Sequence, residues 1–173
     1  SPRSFLSFSA HAIAINGFSK YFAMTGWRLG YMITPLEWMS AADRLHQNLM
    51  ISATEFVQEA GISVLQKSKV YCEEMKTEFN RRRHFVLERM RELGMDPGYT
   101  PDGAFYVFYK YADSTKSSLD LCHEVLEKTG VAIAPGLDFG AMGEGYIRLS
   151  YAQSMENIER ALTKLAESKL LTT

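Results

Sequence analysis

Apolar and polar positions along the chain alternate between a period of two and a period near 3.6. Residues 10–17, AHAIAING, form a short apolar run ending at Asn16 and Gly17, the pattern of a buried strand that leads straight into a loop. A second strand is predicted over residues 27–33. Alternation there sets Arg28, Gly30 and Met32 on one face and Trp27, Leu29, Tyr31 and Ile33 on the other. Pro35 ends it, and residues 36–67 carry helical spacing with a break near residues 51–54. Over residues 70–93 the apolar set Tyr71, Met75, Phe79, Val86, Met90 and Leu93 falls on one helical face, which predicts a single long amphipathic helix. Its acids (Glu73, Glu74, Glu78) come early and its bases (Arg81, Arg82, Arg83, Arg89, Arg91) late, an order that suits the helix dipole; Gly94 stops it.

The turn residues Pro101, Asp102 and Gly103 precede a predicted strand over residues 104–109, and a helix from about Leu119 closes at Gly130. Residues 131–134 read as a short strand cut by Pro135 and Gly136. In GYIRLSYA, residues 145–152, Ile147, Leu149 and Tyr151 face a core while Tyr146, Arg148 and Ser150 face the other way. The last helix buries Ile158, Ala161, Leu162, Leu165 and Ala166, with Ser154 as its N-cap. The whole is an α/β mixture with sequence-distant strand pairing. A fully buried first strand needs neighbours on both sides, so the pattern predicts a further domain upstream.

With 173 residues, 46% of them hydrophobic, the chain can bury a substantial core. Its net charge of -1, from 19 basic and 20 acidic residues, gives no field to gather nucleic acid or an anionic membrane surface. No apolar run reaches the ~18 residues of a membrane span, and the N-terminus lacks the charge order of a signal peptide. Cys72 and Cys122 lie far apart in helical patterns and indicate neither a disulfide framework nor a zinc site. His11, His46, His84 and His123 share no metal-ligand spacing, and no Ser, His and Asp set suggests a hydrolase triad. A cytoplasmic protein is expected.

The stretch NGFSKYFAMTGWRLGY, residues 16–31, carries the decisive chemistry. A lone lysine in a polar loop is usually a solvated side chain. Here Ser19-Lys20, Gly26-Trp27-Arg28 and Gly30-Tyr31 occur together, in register after a strand. The stretch resembles the cofactor-lysine segment of class I/II, fold-type-I, aspartate-aminotransferase-like enzymes. The resemblance implies that Lys20 is the Schiff-base lysine of pyridoxal 5'-phosphate and that Arg28, helped by Ser19, binds the cofactor phosphate. The chemistry agrees with these roles: a flexible amine can condense with an aldehyde and then move a proton, and a guanidinium presents a fixed fork of donors to phosphate oxygens. Gly30, on the same predicted face as Arg28, leaves room for a ligand. Gly17 stands where many members carry a serine that also contacts phosphate, a departure read as a subgroup trait.

A second motif, VAIAPGLDFGAMGEGYIRLSYA, residues 131–152, is similar to the family segment that ends in the substrate-carboxylate arginine, which implies that role for Arg148. Alternation alone projects Arg148 away from the core, where a guanidinium can take a carboxylate in a bidentate pair; a surface arginine on an exposed strand face is the lesser reading. In PDGAFYVF, residues 101–108, Phe105 reads as core before pocket wall, and Arg81, Arg82 and Arg83 read as a solvated helix face before an anion site.

By resemblance the fold is α/β, the C-terminal part of a fold-type-I transferase. Residues 1–36 would be the last strands of the large domain, and residues 37–173 helices and a small α+β domain. The implied reaction is ping-pong transfer of an amino group between an amino acid and a 2-oxo acid, in a homodimer with its site at the subunit interface. The family's partner for the cofactor's pyridine nitrogen, its stacking aromatic and its phosphate-capping turn belong to segments not in this sequence. The chain alone is therefore expected to bind the cofactor poorly and to lack useful turnover. Three alternatives share the motifs or the fold: a lyase or synthase related to aminocyclopropane-carboxylate synthase, an aminotransferase-like effector domain of a bacterial transcription regulator, and a purely structural domain.

Overall fold

In the computed structural model, which describes residues 3–113 and 115–172, the apolar runs near the start form a two-stranded antiparallel ribbon. Strand β1 (Ala14–Gly17) pairs with β2 (Gly30–Ile33), Ala14 opposite Ile33 and Gly17 opposite Gly30. Helices α1 (Leu36–Met50) and α2 (Glu55–Lys67) follow, interrupted where the sequence predicts, with Ile51 at a positive φ of 64°. Helix α3 (Lys69–Glu92) comes next, and Gly94 beyond it takes φ 75°, as a helix stop requires. The chain forms two compact units that divide between Glu74 and Met75.

Two strand expectations for the first unit are corrected. The predicted buried strand is not buried: Ile15 is 80% exposed, and among the described residues β1 pairs with β2 alone. An apolar run records that a surface prefers cover; it does not supply the cover. The second strand starts three residues later than predicted, because residues 25–27 form a 3₁₀ turn (Thr25–Trp27) and Arg28 is left-handed at φ 53°. Arg28 therefore does not share a strand face with Gly30.

The second unit is built on a three-stranded antiparallel sheet in the order β3-β5-β4: β3 (Tyr106–Lys110), β4 (Ala134–Pro135) and β5 (Tyr146–Ser150). The register sets Arg148 between Phe108 on one side and Ala134 on the other. Alternation along β5 is as predicted, with Ile147, Leu149 and Tyr151 buried. They join one core with Val86, Leu87 and Met90 of α3, Leu121 and Val125 of α4 (Ser118–Thr129), and Ile158, Leu162 and Leu165 of α5 (Met155–Ser168). Ser154 and Gly130 act as the sequence signals, and Ser117 adds an N-cap to α4. Ser154 Oγ accepts from Asn157 N–H at 3.2 Å, Ser117 Oγ accepts from Asp120 N–H at 3.1 Å, and Gly130 closes α4 at φ 70°.

Strand β4 lies further along the chain than the predicted strand at residues 131–134. Val131 and Ile133 pack on the core from extended chain, and the ladder forms at Ala134 and Pro135 instead. A proline is tolerated there because β4 is an edge strand and sacrifices no central hydrogen bond. The opposite edge is covered by Tyr99, whose hydroxyl accepts from Phe108 N–H at 2.9 Å and donates to Phe108 C=O at 3.1 Å. Phe105 packs against the core 5.8 Å from the Phe79 ring, the packing role expected for it. The arginine triple is tied up within the unit. Arg81 and Arg82 both bond Glu78, and Arg83 donates to Pro101 C=O at 2.6 Å and Asn80 Oδ1 at 2.9 Å. Cys122 is a free, buried thiol whose pKa burial pushes up to about 11. Among the described residues no helix is long and apolar enough to cross a membrane.

Two outcomes follow for stability. Leu165, 1% exposed, sits at the centre of the core. Leu165→Ala is expected to cost about 2–5 kcal/mol in urea unfolding, and Leu165→Met less than about 1.5 kcal/mol. Equal midpoints for the two variants would contradict this packing. Hydrogen bonds from Arg81 and then Arg82 hold the Glu78 carboxyl at about 2 against an ordinary 4.5. A lowered folded-state pKa stabilises above the ordinary value and loses its effect as pH falls through the interval from 4.5 to about 2. The gap in unfolding midpoint between wild type and Glu78→Gln should therefore be present near neutral pH and close across that interval; a gap independent of pH would refute it.

Candidate active site

Residues 18–29 form a loop pinched shut at its base. Gly17 and Gly30 face each other across the ribbon, and Phe18 N–H donates to Leu29 C=O at 3.1 Å. Inside the loop Ala23 N–H donates to Lys20 C=O at 3.1 Å and Met24 N–H to Phe18 C=O at 3.3 Å. Thr25 Oγ1 donates to Ser19 C=O at 2.9 Å. Three predicted residues, Ser19, Lys20 and Arg28, are thus brought onto one closed loop, with Lys20 and Arg28 exposed and Ser19 half-buried.

The loop is anchored by its apolar side chains. Phe18 is 4% and Met24 5% exposed, and Phe18 lies 5.3 Å from the Phe22 ring and 5.7 Å from the Tyr31 ring. Gly61 of α2 makes the seat: a Cβ there would come within 2.6 Å of Leu29 Cδ2 and 3.5 Å of Phe18 Cζ. Glycine accepts this close approach.

Arg28 takes a left-handed backbone, uncommon for a residue with a side chain and sparsely populated outside turns and functional sites. Its Nη1 donates to Thr25 C=O at 3.2 Å, and its other guanidinium donors have no partner among the described residues. Beside it lies an open depression of about 560 Å³ walled by Ala23, Thr25, Trp27, Phe56 and Val57. Lys20 is not in that wall. Gly30 keeps the closure uncrowded, since a Cβ there would stand 3.1 Å from Asn16 O.

Arg148 belongs to the second unit. Its guanidinium carbon lies 5.1 Å from the Tyr106 ring centre and 4.8 Å from that of Phe139, so two aromatic faces flank it. Its Nε is buried without a hydrogen-bond partner, one of two such side-chain atoms among the described residues, the other being Thr34 Oγ1. An unsatisfied buried donor costs roughly 1–3 kcal/mol and calls for an explanation.

In the loop that leads into β5, Glu144 accepts from Ser118 N–H at 2.6 Å, Tyr111 OH at 3.0 Å and Gly145 N–H at 3.1 Å, while Ser118 Oγ donates to its second oxygen at 3.1 Å. The Ser118 backbone bond in particular holds the Glu144 carboxyl below its ordinary range. Burial, with Glu144 adding to it, pushes Tyr111 up to about 12.

Tyr106, Phe139 and Glu144 escaped the sequence reading. Tyr106 was findable, because period-two alternation along β3 puts it on the same face as Phe108, which pairs with Arg148. Phe139 and Glu144 stand at the ends of short 3₁₀ turns, where neither the period of two nor that of 3.6 marks them.

Residues 1–165 match the family described as aminotransferase class I and II. The chain is 39% identical over 160 residues to the aspartate aminotransferase of Pyrococcus horikoshii, covering 91% of this chain and 41% of that protein. It is 38% identical over 159 residues to a valine–pyruvate aminotransferase of Mycobacterium tuberculosis, with 91% and 41% covered. The crystal structure of an aminotransferase from Mycobacterium tuberculosis superposes with a TM-score of 0.89 at 36% identity, covering 97% of this chain and 44% of that one. The chain thus spans about two fifths of the length of the curated relatives it matches. With the lysine loop and the arginine strand inside the matched residues, the chain belongs to the class I and II aminotransferases and shares part of their fold-type-I architecture.

Proposed function

We propose that this chain carries the cofactor lysine, part of the phosphate grip and the substrate-carboxylate arginine of a pyridoxal-phosphate-dependent aminotransferase. The enzyme exchanges an amino group between an amino acid and a 2-oxo acid. The observation that carries this reading is the closed loop of residues 18–29, which holds an amine, a hydroxyl and a guanidinium in one small segment.

The loop suits a phosphate-bearing aldehyde. Arg28 keeps donors without a partner among the described residues, and Lys20 offers an exposed primary amine. Bound pyridoxal phosphate supplies an electron sink for bond breaking at the substrate α-carbon. Lys20 Nζ would hold the cofactor and would take and return a proton at the substrate α-carbon. Arg28, helped by the Ser19 hydroxyl, binds the phosphate and fixes the cofactor's orientation. Arg148 takes the α-carboxylate; its buried Nε, without a hydrogen-bond partner among the described residues, supports that role.

The working unit is a homodimer in the cytoplasm. Exposed apolar side chains on the first unit, among them Ile15, Leu36, Leu49 and Ile51, favour packing against further protein. The chain alone binds the cofactor weakly and turns over no substrate usefully, because one loop supplies only part of the grip.

Borohydride reduction of the chain mixed with excess pyridoxal phosphate should fix the pyridoxyl group preferentially on Lys20, as located by peptide mass spectrometry. Arg28→Ala should lower that labelling roughly tenfold, the loss of about 1.4 kcal/mol from a charge-assisted phosphate contact. Labelling spread evenly over the lysines of the wild-type chain would overturn the assignment.

A further inference from the structure

We infer that Phe139 and Tyr106 are positioning residues that clamp the Arg148 guanidinium so that its outer edge is preset for a carboxylate. This rests on the proposed carboxylate role of Arg148.

An arginine with a buried, unbonded Nε would ordinarily rotate until it found an acceptor or water, since its side chain is long and its donors are costly to leave unmet. Arg148 instead stays between two rings, 5.1 Å from the centre of Tyr106 and 4.8 Å from that of Phe139. Attraction to the ring faces offsets the missing bond, and burial of Nε leaves the two Nη groups as the edge that can take a carboxylate in a bidentate pair. A side chain already confined loses less freedom when its ligand arrives.

Phe139 is 52% exposed, so core packing does not account for it. Yet its place is fixed from several sides. Phe108, opposite Arg148 in the register, meets it edge-on at 5.7 Å and stacks on Tyr146 at 5.1 Å behind it. The 3₁₀ turn that bears it (Gly136–Phe139) is bonded to the start of α4, Leu137 N–H donating to Ser118 Oγ at 3.3 Å. Glu144 closes the other end of the same loop onto Ser118 and Tyr111. At the neck of this loop the backbones of Gly136 and Gly143 touch, so that a Cβ on either would overlap the other's carbonyl oxygen. The loop is thereby held at three points with the Phe139 ring over the guanidinium.

The experiment follows the Arg148 Nε–Hε signal in ¹H–¹⁵N spectra of the chain while succinate is added. In the wild type the signal is expected upfield and slowly exchanging, because two rings enclose it, and succinate should move it saturably. Phe139→Leu keeps an apolar side chain but removes the ring face; it should bring the signal downfield, speed its exchange and weaken succinate binding about five- to tenfold. Phe139→Tyr should restore all three. Tyr106→Leu should act in the same direction, which keeps the test available if either leucine variant folds poorly. Succinate bound by both leucine variants as tightly as by wild type would overturn the clamp while leaving the carboxylate role intact. Absence of any succinate response at Arg148 in the wild type would overturn the carboxylate role, and the clamp with it.

Discussion

The site depends on one closure: the hydrogen bond from Phe18 to Leu29 above the paired glycines 17 and 30. Closing the chain there puts Ser19, Lys20 and Arg28 on one short loop of residues 18–29. The closure also explains local features that look unfavourable in isolation. Arg28 takes a left-handed backbone because the chain has to turn back within a few residues, and the burial of Phe18 and Met24 offsets that strain. Gly61 matters for the same reason, as it leaves α2 hollow where Phe18 and Leu29 rest. Sequence, loop geometry and proposed chemistry are linked by a few backbone contacts.

The second unit reaches its site by a different route. Period-two alternation along β5 sends Ile147 and Leu149 into a core shared by three helices, and the same geometry sends Arg148 out the other side. Core packing therefore fixes the arginine's Cα, and aromatic rings fix its head group. A strand buried on one face is a rigid platform for a charged residue, which is what the proposed role of Arg148 requires. The proposed function gives each platform its own role, the cofactor to a loop closed by backbone bonds and the carboxylate to a strand held by its core.

Legibility in the sequence divided along physical lines. Alternation at Ile147, Leu149 and Tyr151, the Ser154 cap and the Gly130 stop are local signals, and the structure carries all three as expected. Lys20, Arg28 and Arg148 stood out through resemblance to a family, since periodicity alone left each an ordinary surface cation. Features set by distant partners were not legible. The left-handed turn at Arg28 follows from closure with Phe18, the ladder at Pro135 from an edge position in the sheet, and the placing of Phe139 from Glu144 and Ser118. The exposure of Ile15 belongs to the same class, because burial of a strand is decided by what packs on it.

The central claim is that Lys20 and Arg28 hold the same small molecule, and a crystal structure of the chain grown with excess pyridoxal phosphate tests it most directly. The account predicts continuous density from Lys20 Nζ to the cofactor, with its phosphate within hydrogen-bond reach of the Arg28 guanidinium. Cofactor density attached to another lysine, or a phosphate bound away from Arg28, would contradict it.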